Sequence, residues 1–97
     1  MDVKQKILIA DDFEINRALL REILGDGYEY LEAENGAEAV ALLRTHTDIS
    51  LVLLDIMMPE MDGFEVLIRA RENHISTPVM LLIAKSEIED RVAGLNA

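Results

Sequence analysis

Three aspartates stand where short apolar segments of the chain end, and they are the residues best suited to chemistry. Asp11 and Asp12 follow "KILIA", and Asp55 follows "LVLL". An ionised carboxylate beside a buried strand is costly because desolvation penalises charge. Three such groups close together would also repel one another, and a divalent cation would offset that repulsion. Oxygen ligands with few protein donors favour Mg²⁺, which keeps several waters and often meets a phosphate oxygen.

Each acid also has a simpler interpretation. Asp11 and Asp12 could form an N-cap pair for the helix that follows them. Asp55 could be an ordinary turn residue at the end of a strand. The combination of all three at one sheet edge, together with the loop after Asp55, favours a functional site.

The elements that must bring the acids together are short apolar runs alternating with segments of helical period. Four strands are predicted, at Lys6–Ala10, Tyr28–Ala33, Leu51–Asp55 and Pro78–Ala84. The second is the most polar, which suits a sheet edge, and its acids Glu29, Glu32 and Glu34 are expected to face solvent. The predicted order βαβαβαβα calls for a parallel sheet covered by helices. Residues just past the strand ends then gather at one edge, where ligands bind.

The helices have recognisable ends. The first is predicted from Glu14 to Leu24, with Ile15, Leu19 and Ile23 on one apolar stripe. Three further helices each begin with a capping-box-like pair. These pairs are Asn35 with Glu38, Asp62 with Glu65, and Ser86 with Glu89.

Length, composition and charge narrow the class of protein. A chain of 97 residues, 51% of them apolar, predicts a single domain with a real core. Its net charge of −10 argues against direct contact with nucleic acid or anionic lipid. The sequence has no cysteine, no apolar run long enough to span a membrane, and no signal-peptide pattern at its N-terminus. We therefore expect a cytoplasmic protein.

Four segments resemble the receiver domain of two-component response regulators: "LIADDFEINR", "AENGAEAV", "LDIMMPEMDGFEVL" and "TPVMLLIAK". The resemblance covers the whole chain. It implies an α/β fold, a doubly wound flavodoxin-like parallel sheet of order 2-1-3-4-5. It also implies a signalling switch in a phosphorelay rather than an enzyme, although such a domain assists its own phosphorylation and dephosphorylation.

The resemblance assigns roles to the acids. Asp55 would accept a phosphoryl group from a sensor histidine kinase or a phosphotransfer protein. Asp12, Asp55 and the backbone carbonyl of Met57 would hold Mg²⁺, with Asp11 binding it directly or through water. The switch would then change shape and act on a partner or an output domain.

The loop after Asp55 also matches the family. Pro59 is expected to stiffen the turn, Asp62 to cap the next helix, and Gly63 to permit close backbone approach. Met57, Met58 and Met61 could contribute to a partner surface or fill gaps in the core.

The sequence departs from the family pattern at the end of the fourth strand. Receivers usually carry Thr or Ser there before a small residue, and this chain has Ile83 before Ala84. Because Ile83 has no hydroxyl, phosphorylation is expected to couple more weakly to shape change. A water or a backbone donor could replace the hydroxyl. The alternative is a degenerate receiver that acts as a docking module independent of phosphorylation.

The sequence also stops before the fifth strand, its lysine and the fifth helix of a receiver. We therefore expect residues 1–97 to be a receiver domain that is incomplete at its C-terminus. A second copy of the chain could cover the exposed edge, which makes a homodimer a candidate assembly. An aspartyl phosphatase would need Asp-x-Asp after the first strand, and a flavodoxin would need phosphate-cradling hydroxyls and glycines. The segment "DDFE" has neither pattern.

Overall fold

The computed structural model describes residues 3–83. The elements are β1 (Gln5–Ala10), α1 (Glu14–Leu24), β2 (Tyr28–Ala33), α2 (Gly36–Thr45), β3 (Ile49–Asp55), α3 (Gly63–Glu72) and β4 (Val79–Leu82). The predicted limits of α1 and β2 are confirmed, and β3 begins two residues earlier than predicted. The helix predicted after Ser86 and the residue Ala84 lie outside the described residues.

The strands form one parallel sheet of order β2-β1-β3-β4. This is the doubly wound, flavodoxin-like arrangement that the resemblance implied, and β2 is an edge strand as its polarity indicated. The register pairs Leu8 with Val52 and Ala10 with Leu54. The carboxyl ends of β1 and β3 therefore lie side by side, and the residues that follow them leave the sheet together.

Alternate residues of the central strands pack on opposite faces of the sheet. On one face Leu8, Val52 and Leu54 belong to a core cluster that includes buried residues of α2 and α3. On the other face Ile7, Ile9 and Leu53 form a smaller cluster, against which side chains of α1 pack. Continuous apolar strands are typical of a parallel sheet covered on both faces.

The predicted apolar stripe of α1 does not face the sheet. Ile15, Leu19 and Ile23 are 77%, 58% and 70% exposed. The helix instead packs against the core through Leu20 and Leu24, each one position further along the chain. The sequence had placed these three residues on one stripe without assigning it a neighbour, because periodicity defines the faces of a helix without showing which neighbour each face meets.

Two of the predicted helix caps are confirmed. The Asn35 side chain accepts a hydrogen bond from the Glu38 amide at 2.8 Å, and the Asp62 side chain accepts one from the Glu65 amide at 2.9 Å. These bonds satisfy donors that the first helical turn leaves unpaired. At α1, by contrast, the N-cap position is Phe13 and no side chain caps the helix. The interpretation of Asp11 and Asp12 as a capping pair is therefore wrong.

An ion pair joins the start of β1 to the approach to β3, at the end of the sheet opposite the aspartates. Lys6 Nζ lies 2.7 Å from Asp48 Oδ2. This hydrogen bond raises the pKa of Lys6 and lowers the pKa of Asp48.

Among the helices of residues 3–83, none combines the length and the apolar character needed to cross a membrane.

Candidate functional site

The three aspartates singled out in the sequence converge at the carboxyl edge of the sheet. Asp11, Asp12 and Asp55 each offer a carboxylate oxygen, and these oxygens all lie within 4.8 Å of one another. Asp11 is buried, while the other two are half-buried. Their convergence follows from the pairing of β1 with β3, which the resemblance to receiver domains implied.

Local hydrogen bonds orient two of the carboxylates. Asp11 Oδ1 accepts a bond from the Phe13 amide at 2.9 Å and a longer one from Asn16 Nδ2 at 3.4 Å. Asp55 Oδ1 accepts a bond from the Met57 amide at 3.0 Å. Both bonds to backbone amides span two residues, which is the pattern of an Asx turn. The turn interpretation of Asp55 is thus correct locally, and it coexists with the clustering of the acids.

Asp12 provides the test of whether this cluster suits a cation. Its Oδ1 atom is buried and has no hydrogen-bond partner within residues 3–83. A buried carboxylate oxygen without a donor is costly, and such orphaned atoms call for an explanation. Two further carboxylates close by supply the hard oxygen ligands that Mg²⁺ prefers. The residues present therefore fit a bound Mg²⁺.

A cavity of about 350 Å³ opens beside the acids. Asp11, Asn16 and Asp55 line it with polar atoms. The rest of the lining is largely apolar and comes from Phe13, Met57, Leu82 and Ile83. Ile83 thus lies in the same cavity as Asp55, at the place where the family pattern calls for a hydroxyl.

The loop between β3 and α3 is tight because its two ends touch. The Gly63 amide donates to the Ile56 carbonyl at 2.9 Å. A Cβ on Gly63 would lie 2.7 Å from the Asp55 carbonyl oxygen and 2.8 Å from the Ile56 Cα. The predicted close approach at Gly63 is therefore confirmed.

The middle of this loop turns sharply after Pro59. The Pro59 carbonyl accepts a hydrogen bond from the Met61 amide at 2.7 Å, and Glu60 between them has a positive φ of 69°. Such a backbone conformation is uncommon for a residue other than glycine. The fixed φ of proline at the first position of this turn agrees with the predicted stiffening role of Pro59.

The three methionines of the loop divide into two groups. Met58 is buried, and Met61 packs against the same core cluster, so both fill gaps in the core. Met57 is 52% exposed and borders the cavity. Of the three, Met57 has the position suited to a ligand or partner.

Sequence reasoning missed a cluster of charged side chains beside the acids. Arg17 Nε donates to Glu32 Oε1 at 3.0 Å, and Arg21 Nη1 pairs with Glu32 Oε2. Arg17 Nη1 also donates to the backbone carbonyl of Asp11, at 2.7 Å. Glu32 is half-buried rather than solvated as predicted. No local spacing signals this cluster, because Arg17 and Glu32 lie 15 residues apart on different elements.

The fold and the site together define a class of protein: a doubly wound α/β domain with an acidic cluster at the carboxyl edge of its sheet. The family model of the response regulator receiver domain matches residues 7–97. The chain belongs to this family, and it is therefore a regulatory domain of two-component systems, in which phosphorylation carries the signal.

Individual relatives agree with the family. The chain is 43% identical over 91 residues to the transcriptional regulatory protein CpxR of Klebsiella pneumoniae, covering 93% of this chain and 38% of CpxR. It is 41% identical over 96 residues to the transcriptional regulatory protein SrrA of Staphylococcus aureus, covering 98% and 39% respectively. The chain thus spans about two fifths of the length of these curated relatives.

Solved structures show the same fold. The Francisella response regulator 1452 receiver domain superposes with a TM-score of 0.77 at 31% identity, covering 96% of this chain and 77% of that one. A complex of CheX and CheY with BeF3 and Mg²⁺ from Borrelia burgdorferi has a TM-score of 0.72 at 28% identity, covering 92% and 71%.

Proposed function

We propose that this domain is a phosphorelay switch in which Asp55 accepts a phosphoryl group in a Mg²⁺-dependent reaction. The donor would be the phosphohistidine of a sensor histidine kinase or a phosphotransfer protein. The observation that carries the proposal is the convergence of the Asp11, Asp12 and Asp55 carboxylates beside an open cavity. The solved CheY complex that contains BeF3 and Mg²⁺ belongs to a protein of the same fold, which supports the choice of ion.

The residues that would hold Mg²⁺ are Asp11, Asp12, Asp55 and the backbone carbonyl of Met57. When bound, the ion supplies positive charge that offsets the repulsion between a carboxylate and an anionic phosphoryl group. Asp12 is suited to this role because one of its oxygens is buried without a hydrogen-bond partner among the described residues.

Asp55 would act as the nucleophile. One of its carboxylate oxygens forms a bond to phosphorus while the phosphorus–nitrogen bond of the phosphohistidine breaks, and the electron pair of that bond stays on the imidazole nitrogen. The product is an acyl phosphate, which water later hydrolyses to the free carboxylate and inorganic phosphate. Because phosphoryl transfer depends mainly on positioning and electrostatics, no separate general base is needed.

The cavity beside Asp55 gives the phosphoryl group space to enter. It is open and lined on one side by the carboxylates. The bond from the Met57 amide to Asp55 Oδ1 fixes the direction of the carboxylate. A fixed carboxylate next to an accessible cavity favours the in-line approach that displacement at phosphorus requires.

The output of the switch would be a partner protein or an output domain. The relatives CpxR and SrrA are named transcriptional regulators, and they are longer than this chain. The net charge of −10 makes this segment itself a poor ligand for DNA. We therefore propose that DNA is contacted by other parts of such proteins.

The test compares the wild-type chain with Asp55→Asn and Asp62→Asn. Each is incubated with a small phosphodonor and Mg²⁺, and intact mass spectrometry counts added phosphoryl groups. We expect one group on the wild type and on Asp62→Asn, because Asp62 caps a helix and Asn caps equally well. We expect none on Asp55→Asn, and none on the wild type in excess EDTA. Full incorporation by Asp55→Asn would refute the assignment.

A second candidate function is a docking module that no longer depends on phosphorylation. It is favoured by Ile83, which lines the cavity without a hydroxyl to bind a phosphoryl oxygen. The same mass measurement separates the two, since a degenerate receiver would take no phosphoryl group. If one phosphoryl group is found on the wild-type chain, the docking module that takes no phosphoryl group is excluded.

A further inference from the structure

We propose that Arg17 is a positioning residue that holds the loop between β1 and α1 in the conformation needed for metal binding. This inference rests on the proposed function, because the site that Arg17 would serve is the Mg²⁺ site of the phosphorelay switch. Arg17 would act through Asp11, whose backbone it contacts, and would touch neither the metal nor the phosphoryl group.

The first support is the geometry of Arg17 itself. Its side chain is only 12% exposed, which is low for arginine. Nη1 donates to the Asp11 carbonyl at 2.7 Å, while Nε donates to Glu32 Oε1 at 3.0 Å. A guanidinium has a rigid, planar set of donors, so these two bonds together fix its orientation. Arg17 thereby ties α1 both to β2 and to the loop that carries the acids.

The second support is the way in which Asp11 is held. Its amide donates to the Ala33 carbonyl at 3.0 Å, which continues the pairing of β1 with β2 by one residue. Its carbonyl, just past the end of β1, receives the bond from Arg17. Both backbone groups of Asp11 are thus anchored, and the direction of the chain at Asp12 follows from them.

The third support is the strain that the cluster places on this loop. Three carboxylates with oxygens within 4.8 Å of one another repel, and the loop would open if nothing restrained it. If the loop is already ordered before Mg²⁺ binds, less conformational entropy is lost on binding. Residues behind the ligands of a metal site commonly supply such restraint, and their loss lowers metal affinity by about 10- to 100-fold.

Glu32 makes the presence of Arg17 compatible with a cation at the proposed Mg²⁺ site. A lone guanidinium close to the site would repel Mg²⁺, and the carboxylate of Glu32, although shared with Arg21, offsets part of that charge. Glu32 also pairs with Arg21, one turn further along α1. Within residues 3–83, the Arg21 side chain pairs with Glu32 and forms no hydrogen bond or ion pair with the loop between β1 and α1. Arg21 therefore offers a matched control that shares the helix, the charge and the carboxylate partner of Arg17.

The experiment uses the full chain with Arg17→Gln, Arg17→Lys and Arg21→Gln. Calorimetric titration measures the Mg²⁺ dissociation constant at fixed ionic strength. We expect Arg17→Gln to weaken Mg²⁺ binding by about tenfold and Arg21→Gln by less than about twofold. Arg17→Lys keeps the positive charge but replaces the planar guanidinium with a compact ammonium group. Its Mg²⁺ dissociation constant should therefore lie between those of the wild type and Arg17→Gln. If Arg17→Gln does not fold, Arg17→Lys against Arg21→Gln gives the same comparison.

A second measurement needs no metal. The Phe13 amide bonds to the Asp11 carboxylate, so its hydrogen exchange reports the order of the loop directly. We expect exchange at Phe13 to become faster by about tenfold in Arg17→Gln, the effect of losing one hydrogen bond that restrains the loop, and to stay near the wild-type rate in Arg21→Gln. A general loss of stability would instead speed exchange throughout β1 and affect both variants.

The outcomes separate the two proposals. A wild-type chain that binds no Mg²⁺ refutes the metal site of the proposed function and with it the role of Arg17 in metal binding, while exchange at Phe13 still shows whether Arg17 orders the loop. Equal Mg²⁺ affinity in the wild type and in a folded Arg17→Gln overturns the inference, and so do equal losses in Arg17→Gln and Arg21→Gln.

Discussion

At the scale of single residues, the cavity beside Asp55 combines an acidic wall with an apolar one. Ile83 belongs to the apolar wall. It offers neither a donor nor an acceptor to a phosphoryl group on Asp55. A ligand shifts a conformational equilibrium only by the difference in its interactions with the two states. Under the proposed function, we therefore expect phosphorylation of Asp55 to have one contact fewer through which to change the shape of the domain.

The variant Ile83→Thr restores a hydroxyl at this position. We expect it to increase phosphorylation-dependent dimerisation by about tenfold in association constant, the equivalent of one hydrogen bond of about 1.4 kcal/mol. Sedimentation of the beryllium fluoride form with Mg²⁺ measures the dimerisation, while phosphate incorporation should stay unchanged. The control is Ile83→Val, which has the shape of Thr without the hydroxyl. Equal responses of the Thr and Val variants would show that the hydroxyl has no role in the switch.

At the scale of elements, the site depends on how closely α3 approaches the end of β3. The helix begins at Gly63, whose amide bonds to the Ile56 carbonyl, while Asp62 caps its first turn. These contacts join the loop back onto the strand that carries Asp55. The position of the Asp55 side chain therefore depends on both β3 and α3.

Gly63→Ala tests this junction. The added Cβ would meet backbone atoms of Asp55 and Ile56 at under 3 Å, and backbone cannot move aside as a flexible side chain can. We expect a loss of about 1–3 kcal/mol in the free energy of unfolding and slower phosphorylation of Asp55. Urea denaturation and the rate of phosphate incorporation measure the two effects. Gly27→Ala is the matched control, because no atom lies within 4 Å of a Cβ at that position. If Gly63→Ala left both the free energy of unfolding and the phosphorylation rate unchanged, the junction between α3 and β3 would have to be loose enough to accept a Cβ.

The sequence predicted those elements whose signals are local. The caps at Asn35 and Asp62 depend on residues three apart, and the edge position of β2 shows in its polarity. The convergence of the acids required β1 and β3 to be neighbours, which the resemblance to receiver domains implied and the alternation of strands and helices did not determine. The direction in which Leu19 points could not be predicted, because helical period does not identify the packing partner. The pairing of Arg17 with Glu32 also escaped prediction, since it joins a helix to an edge strand and depends on tertiary packing.

At the scale of the whole molecule, the dominant feature is negative charge. Nineteen acidic and nine basic residues give a net charge of −10, and the described acids include the cluster of Asp11, Asp12 and Asp55. A large net charge destabilises the compact state through self-repulsion. Monovalent salt should relieve the long-range part of this repulsion, whereas a bound divalent ion should relieve the part concentrated in the cluster.

These two contributions can be measured separately. Raising the ionic strength with KCl from about 0.01 M to about 0.15 M shortens the screening length from about 30 Å to about 8 Å, and the free energy of unfolding should rise gradually. Mg²⁺ at matched ionic strength should add a saturating stabilisation of about 2.7 kcal/mol at a hundredfold excess over its dissociation constant. The variant Asp12→Asn should keep the KCl response, lose the Mg²⁺ response, and be more stable than the wild type without metal, because it has one fewer repelling carboxylate. If Asp12→Asn retained the saturating Mg²⁺ effect, the ion would be binding elsewhere on the acidic surface, and the cluster would lose its role as the metal site.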